Sequence, residues 1–303
     1  MQAIMIRFIR LLLVLWALVC PWPAHAAYQI TSIDYPGVGF TEVFGINDSG
    51  LVVGTSNVAF TYDARTGVFT PVPDAPGGVL GINDHGVMVG PTGFPENGFV
   101  RSTDGTYTLF SKPGWDNTEP RGVSNTGLVT GYAFNSGFPT TTVGFIYDPE
   151  ANTFIDILPG PFTIAQGINA RGEVVGSASL PAGVACTGCP AGLYGWLRAA
   201  SGSLTFFQVN GHSTRARGIT DSGVITGFIT DPVSGHQKGF VVELARTSSY
   251  QSLTVPDAEL LEMPGAVITA PQAISNSGEI VGIWIDASFR FHGFIATPLP
   301  NGK

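Results

Sequence analysis

The stretch Gly45-Ile46-Asn47-Asp48-Ser49-Gly50-Leu51-Val52-Val53-Gly54 decides the fold, because it returns five more times without a gap. The copies read GINDHGVMVG from Gly81, GVSNTGLVTG from Gly122, GINARGEVVG from Gly167, GITDSGVITG from Gly218 and AISNSGEIVG from Ala273. In each, Ile or Val leads into a polar turn, a Gly at the sixth place supplies the positive φ that the turn needs, and a Val/Ile-rich strand leaves it. One hairpin repeated along the chain is the signature of a repeat architecture.

A second hairpin follows each copy, beginning at Ala59-Phe60, Gly98-Phe99, Gly144-Phe145, Gly195-Trp196, Gly239-Phe240 and Gly293-Phe294. In the first five units a fourth strand is expected at Val68 to Val72, Tyr107 to Phe110, Phe154 to Leu158, Leu204 to Val209 and Tyr250 to Val255. Four-stranded antiparallel units whose starts lie 36, 41, 45, 51 and 55 residues apart predict an all-β, six-bladed β-propeller. A stacked β-solenoid is the runner-up, but its coils tolerate less variation in length. The sixth unit runs out after its third strand at Thr297, whereas Tyr28-Gln29-Ile30-Thr31-Ser32-Ile33-Asp34 precedes the first and resembles the segment from Tyr250. The N-terminal strand is therefore expected to complete the last blade and close the ring, hiding an edge that would otherwise aggregate.

The chain of 303 residues carries 40 Gly and 22 Pro, with 12% charged and 11% aromatic residues. That balance excludes a coiled coil, a helical enzyme and a disordered chain. Residues 1–26 read as a secretory leader: Arg7 and Arg10 form a positive start, Leu11 to Cys20 is an apolar run, and Ala24-His25-Ala26 is a small-x-small cleavage site. A retained membrane anchor is the alternative, but the run is too short to span a bilayer. Residues 27–303 are then one propeller domain, secreted or periplasmic and monomeric, without membrane insertion. The formal charge is −8, and loss of both leader arginines makes the rest more acidic still, which argues against nucleic acid as a partner.

Cys186 and Cys189 remain after the leader. In an exported chain an isolated CTGC most often closes a loop disulfide, and a redox pair is the alternative, although it would need the motif to open a helix. No cofactor and no metal site is indicated: the histidines lack ligand spacing and the Asn-Asp-Ser-Gly turns lack an EF-hand pattern.

The six GINxxGxVVG segments resemble the extracellular HAF-repeat proteins, over essentially the whole chain after residue 26. Of the His-Ala-Phe that names the family, only the Phe or Trp is present, preceded by Gly or Ala. The resemblance implies a secreted, propeller-like repeat protein and carries no shared reaction or ligand.

In four-stranded blades the second-to-third loops share one face of the ring, and here they grow from Thr55–Val58 to Ser177–Tyr194. On that side, the residue before the first repeat Gly reads Phe44, Leu80, Arg121, Gln166, Arg217 and Gln272. Arg121, Gln166, Arg217 and Gln272 are thus the ligand-binding candidates, converging on a channel where they would hold a carboxylate, a sulfate or sugar hydroxyls. The competing reading is that they bond to nearby carbonyls and fill the tunnel. Glu42 and Glu119, three residues before their repeat Gly, are the acids placed to neutralise the arginines. A binding or scaffold role for a glycan or small anion is expected. The alternative is a hydrolase or lyase on extracellular carbohydrate, with His212, His236, His292, Glu259, Glu262 and Asp286 as its acid/base candidates.

Overall fold

The computed structural model describes residues 28–136, 141–157, 162–185, 188–244, 252–255 and 258–300. The expected leader, Cys186 and Tyr250-Gln251 lie outside the described residues.

Strand β1 is Tyr28–Ile33. The first unit is β2 (Glu42–Ile46), β3 (Leu51–Thr55), β4 (Ala59–Asp63) and β5 (Val68–Pro71), and the second is β6 (Gly81–Ile82), β7 (Met88–Pro91), β8 (Gly98–Arg101) and β9 (Tyr107–Phe110). The third comprises β10 (Asn117–Val123), β11 (Val129–Phe134), β12 (Thr142–Asp148) and β13 (Thr153–Ile157); the fourth comprises β14 (Phe162–Ile168), β15 (Val174–Leu180), β16 (Gly192–Arg198) and β17 (Leu204–Val209). In the fifth are β18 (Ser213–Ile219), β19 (Val224–Thr230), β20 (Gln237–Glu243) and, after β21 (Ser252–Val255), β22 (Glu259–Leu261). The sixth has β23 (Ala266–Ile274), β24 (Ile280–Asp286) and β25 (Phe291–Pro298). Within every unit consecutive strands pair antiparallel.

β1 pairs antiparallel with β25, setting Thr31 opposite Ile295 and Ser32 opposite Phe294. This is the expected partner. The fifth unit departs from expectation: its fourth strand is β22, paired with β20 through Leu261, Leu260 and Glu259. β21 instead runs parallel to β17 as an extra outer strand of the fourth unit. Each strand packs an apolar residue where it lies: Leu261 of β22 is in the core at 3% exposure, and Val255 of β21 packs against the cluster between the fourth and fifth units.

The two ends of each repeat explain its glycines. The turn Gly has positive φ in all six copies, from 74° at Gly172 to 99° at Gly223. The last Gly faces the third-strand aromatic across the ladder, as in Gly54 opposite Phe60, Gly131 opposite Phe145 and Gly282 opposite Phe294. A Cβ on Gly131 would stand 2.2 Å from the Glu119 carbonyl oxygen and 2.9 Å from the Phe145 ring, so the aromatic fills the space that Gly leaves. Phe60, Phe99, Phe145, Trp196, Phe240 and Phe294 are all fully buried, each contributing about 1.5–3 kcal/mol of burial energy.

These aromatics belong to six apolar clusters, each lying between one unit and the next. Val53 meets Phe99, Val89 meets Phe145, Ile146 meets Trp196 and Val175 meets Phe240. Val224 of the fifth unit packs on Phe294 of the sixth. The last cluster joins Val281 of the sixth unit to Val43 and Phe60 of the first.

Candidate functional site

The position before the first repeat Gly is where the innermost strands break register. Phe44, Arg121, Arg217 and Gln272 are each skipped in the pairing of their strand with the next, and in β14 both Gln166 and Gly167 are skipped. A bulge adds a residue to one strand and re-aims its side chain. Phe44, Leu80, Arg121, Arg217 and Gln272 line one small cavity of about 80 Å³. Gln166 is buried at 6% exposure but is not among the lining residues. Gln272 donates to the Ala270 carbonyl at 3.3 Å, as the tunnel-filling reading expects.

The two arginines differ in their partners. Arg121 forms an ion pair with Glu119, which also accepts the Tyr132 hydroxyl at 2.5 Å, and its guanidinium lies 5.7 Å from the Tyr132 ring centre. Burial opposes the Arg121 charge, but Glu119, Tyr132 and Glu96 outweigh it and hold its pKa above the ordinary value. Glu42 does not bond to either arginine; burial raises its pKa, with the Arg121 charge acting against the rise. Burial also pushes the Tyr132 hydroxyl up to about 12.

Arg217 has no carboxylate ion pair among the described residues. Its guanidinium lies 5.2 Å from the Phe228 ring centre, and its Nε is buried without a hydrogen-bond acceptor. Burial first, then the charges of Arg121 and Arg215, push its pKa down to about 9. It is therefore charged at neutral pH, with the Glu119 charge only partly offsetting the cost of burial.

On the other side of the cavity sits a collar of Ile46, Ile82, Val123, Ile168, Ile219 and Ile274, which line this cavity and a second one below it. The second is lined by the repeat turns, including Asp48, Asp84, Asn125, Asp221 and Asn276. The axis thus carries guanidinium groups at one end and carboxylates at the other, with an apolar constriction between. Among the described residues no group of three or more His, Cys, Asp and Glu is gathered as a metal ion would require.

The acid/base candidates are scattered. His236 is exposed, Glu262 pairs with Lys238 at 2.8 Å, and neither lines the central cavity. His292 is held by Asp34 at 2.7 Å and stands 3.6 Å from Asp286, stacked on Trp284 at 4.2 Å. That group ties β25 to the end of β1 and lies away from the arginines. Glu96 is not among the sequence candidates, although it lies in one of the second-to-third loops that the sequence singles out: it comes from the β7–β8 connection, and burial first, then the Glu119 charge, raises its carboxyl pKa.

No protein-family model matches the sequence, and no curated protein matches it significantly. Solved structures do resemble the fold. A luciferin-regenerating enzyme aligns with a TM-score of 0.54 at 11% identity over 90% of this chain and 96% of that one. A candidate gluconolactonase aligns at 0.53 and 14% identity over 91% and 95%. A catalytically inactive virginiamycin B lyase from Staphylococcus aureus, solved with quinupristin, aligns at 0.50 and 11% identity over 90% and 100%. At such identities the likeness is one of fold, and the fold is that of the β-propellers.

Proposed function

We propose that the chain is a secreted or periplasmic six-bladed propeller of the HAF-repeat kind, closed by β1, that binds a small anion at the arginine end of its channel. Six repeats, the β1–β25 pairing and the cluster joining the last unit to the first support the blade count and the closure. The anion reading rests on Arg217, a cation aimed into the cavity by a bulge and left without a carboxylate. Arg217 is half-buried at the cavity, and a ligand carboxylate or sulfate, free or on an acidic sugar, supplies the anionic partner it lacks. The collar of aliphatic side chains below it offers such a group no polar partner, so approach from the loop face is favoured.

Thermal-shift and calorimetric screening of the purified protein against sulfate, simple carboxylates and acidic sugars tests this. Saturable binding that Arg217→Met abolishes is the expected result, and equal binding by that variant refutes the reading. The second reading, a hydrolase or lyase on carbohydrate, is favoured by the Glu96 carboxyl, whose pKa is raised by burial and by the Glu119 charge. Turnover assays on any bound sugar separate the two.

A further inference from the structure

The third and fifth units carry an arginine at the same repeat place, but the two residues beside it differ. In the third unit Glu119 stands opposite Tyr132 across the β10–β11 ladder, Arg121 pairs with Glu119, and the Tyr132 hydroxyl donates to the same carboxylate. In the fifth unit the matching cross-strand pair is Arg215 opposite Phe228. The acid that neutralises Arg121 is thus replaced by a second cation, and the hydroxyl by a bare ring.

Both guanidinium groups of the fifth unit lie against that ring, Arg215 at 5.8 Å and Arg217 at 5.2 Å from its centre. Phe228 is buried and so forms a fixed wall for them. An aromatic face attracts a cation but gives guanidinium N–H groups no lone-pair acceptor. Among the described residues neither arginine forms an ion pair with a carboxylate, and Arg217 Nε is buried without an acceptor. Burial lowers the pKa of Arg215, as it does that of Arg217, on which the Arg215 charge also weighs.

β18 starts at the loop face, where Ser213 pairs with Thr230 at the end of β19, and it ends at the repeat turn. Arg215 therefore lies two residues nearer that face than Arg217, which lines the cavity. An anion approaching from the loops meets Arg215 on its way to Arg217. The cavity of about 80 Å³ has room for a few water-sized groups, which suits one tetrahedral oxyanion with any ester group left outside.

We propose that Arg215 and Arg217, walled by Phe228, form a two-armed site that selects a doubly charged oxyanion, sulfate or phosphate or a phosphate monoester, over a monocarboxylate. This rests on the anion-binding reading above and adds a second ligand-contacting residue to it. Guanidinium groups present paired N–H donors, and the oxygens of a tetrahedral anion accept from both arms at once. A monocarboxylate brings one negative charge to two cations and has fewer oxygens to share. The bound anion takes the part in the fifth unit that Glu119 plays in the third.

The test is isothermal titration of the purified protein with sulfate, inorganic phosphate, methyl phosphate and acetate at constant ionic strength, with a thermal midpoint for every variant. Sulfate and phosphate are expected to bind at least about tenfold more tightly than acetate. Methyl phosphate binding as well as inorganic phosphate assigns the site to esters, and weaker binding assigns it to the free ions; the two arms stand in either case. Arg215→Met should lose about tenfold or more in sulfate affinity with little change for acetate, while Arg217→Met should bind none of the four. Arg215→Glu with Phe228→Tyr writes the third unit's arrangement into the fifth, and should raise the thermal midpoint and remove sulfate binding. Sulfate binding by Arg215→Met or by that double variant at the wild-type level, or equal affinity of the wild-type protein for acetate and sulfate, overturns the two-armed site and leaves Arg217 as the anion site. Absence of binding of all four probes by the wild-type protein overturns both.

Discussion

Asn276 and Asp48, separated by 228 residues in sequence, are joined by two hydrogen bonds: the Asn276 N–H reaches Asp48 Oδ1 at 2.6 Å, and its side-chain amide reaches Oδ2 at 2.9 Å. The same exchange runs round the narrow mouth of the channel. The Asp48 N–H donates to Asp84, the Asp84 N–H to Asn125, the Ala170 N–H to Asp221 and the Asp221 N–H to Asn276. The one interruption follows Asn125, where Ala170 offers no side-chain acceptor.

Replacing Ala170 by Asn should complete the circle. One added hydrogen bond is worth about 0.5–1.5 kcal/mol net, so the denaturant midpoint should rise without a change in slope. A fall in the midpoint would show that the gap accommodates something other than a missing acceptor.

Gly131→Ala should be among the most damaging single changes. The new Cβ would meet the Glu119 carbonyl at 2.2 Å and the Phe145 ring at 2.9 Å, forcing either the β10 backbone or a fully buried aromatic to move. A loss of about 3 kcal/mol or more is expected, measured by chemical denaturation, together with weakened anion binding because Glu119 and Arg121 share the displaced strand.

Arg217→Met should raise the stability of the ligand-free protein. Removing a guanidinium that lacks an ion pair among the described residues and filling its place with an apolar side chain is worth about 1–3 kcal/mol. The measurement is the thermal midpoint with and without sulfate: the variant should start higher and no longer respond to the salt.

The raised pKa of Glu96, caused by burial and by Glu119, gives a defined pH signature. In the window between its ordinary value and its folded value, the folded chain keeps a proton that the unfolded chain has lost. The unfolding free energy therefore falls as pH rises through that window. Glu96→Gln should flatten this limb of the stability profile, which denaturation at stepped pH will read.

Cys186 and Cys189 are expected to be a loop disulfide, so the oxidised protein should show no alkylatable thiol and a mass two hydrogens below the reduced form. The ring it closes is small, and loop-closure arguments give small rings the least stabilisation. Cys186→Ser with Cys189→Ser should leave the thermal midpoint nearly unchanged.

Much of this architecture could be read from the chain because the repeat encodes it at every level. The turn Gly, the aromatic of the third strand and the pairing of Thr31 with Ile295 all follow from local pattern and from the incomplete sixth unit. Outer strands were less legible. Tyr250 to Val255 shares its alternation with the N-terminal strand, but an outer strand is half solvated, so alternation alone does not choose its partner. The bulges that aim Arg121 and Arg217 inward leave no mark in composition, although the shared repeat position pointed to the same residues. Glu96 was not legible because the second-to-third loops differ in length and sequence from unit to unit, so no repeat register places its side chain, and only packing brings it near Glu119 and Arg121.

β1 pairs with β25 about 260 positions later, a contact of very high sequence separation whose closure entropy has to be met before it stabilises anything. Until the two strands meet, β25 presents an unpaired edge to solvent. This seam is therefore expected to be among the last ladders to form on refolding and among the first to open under stress.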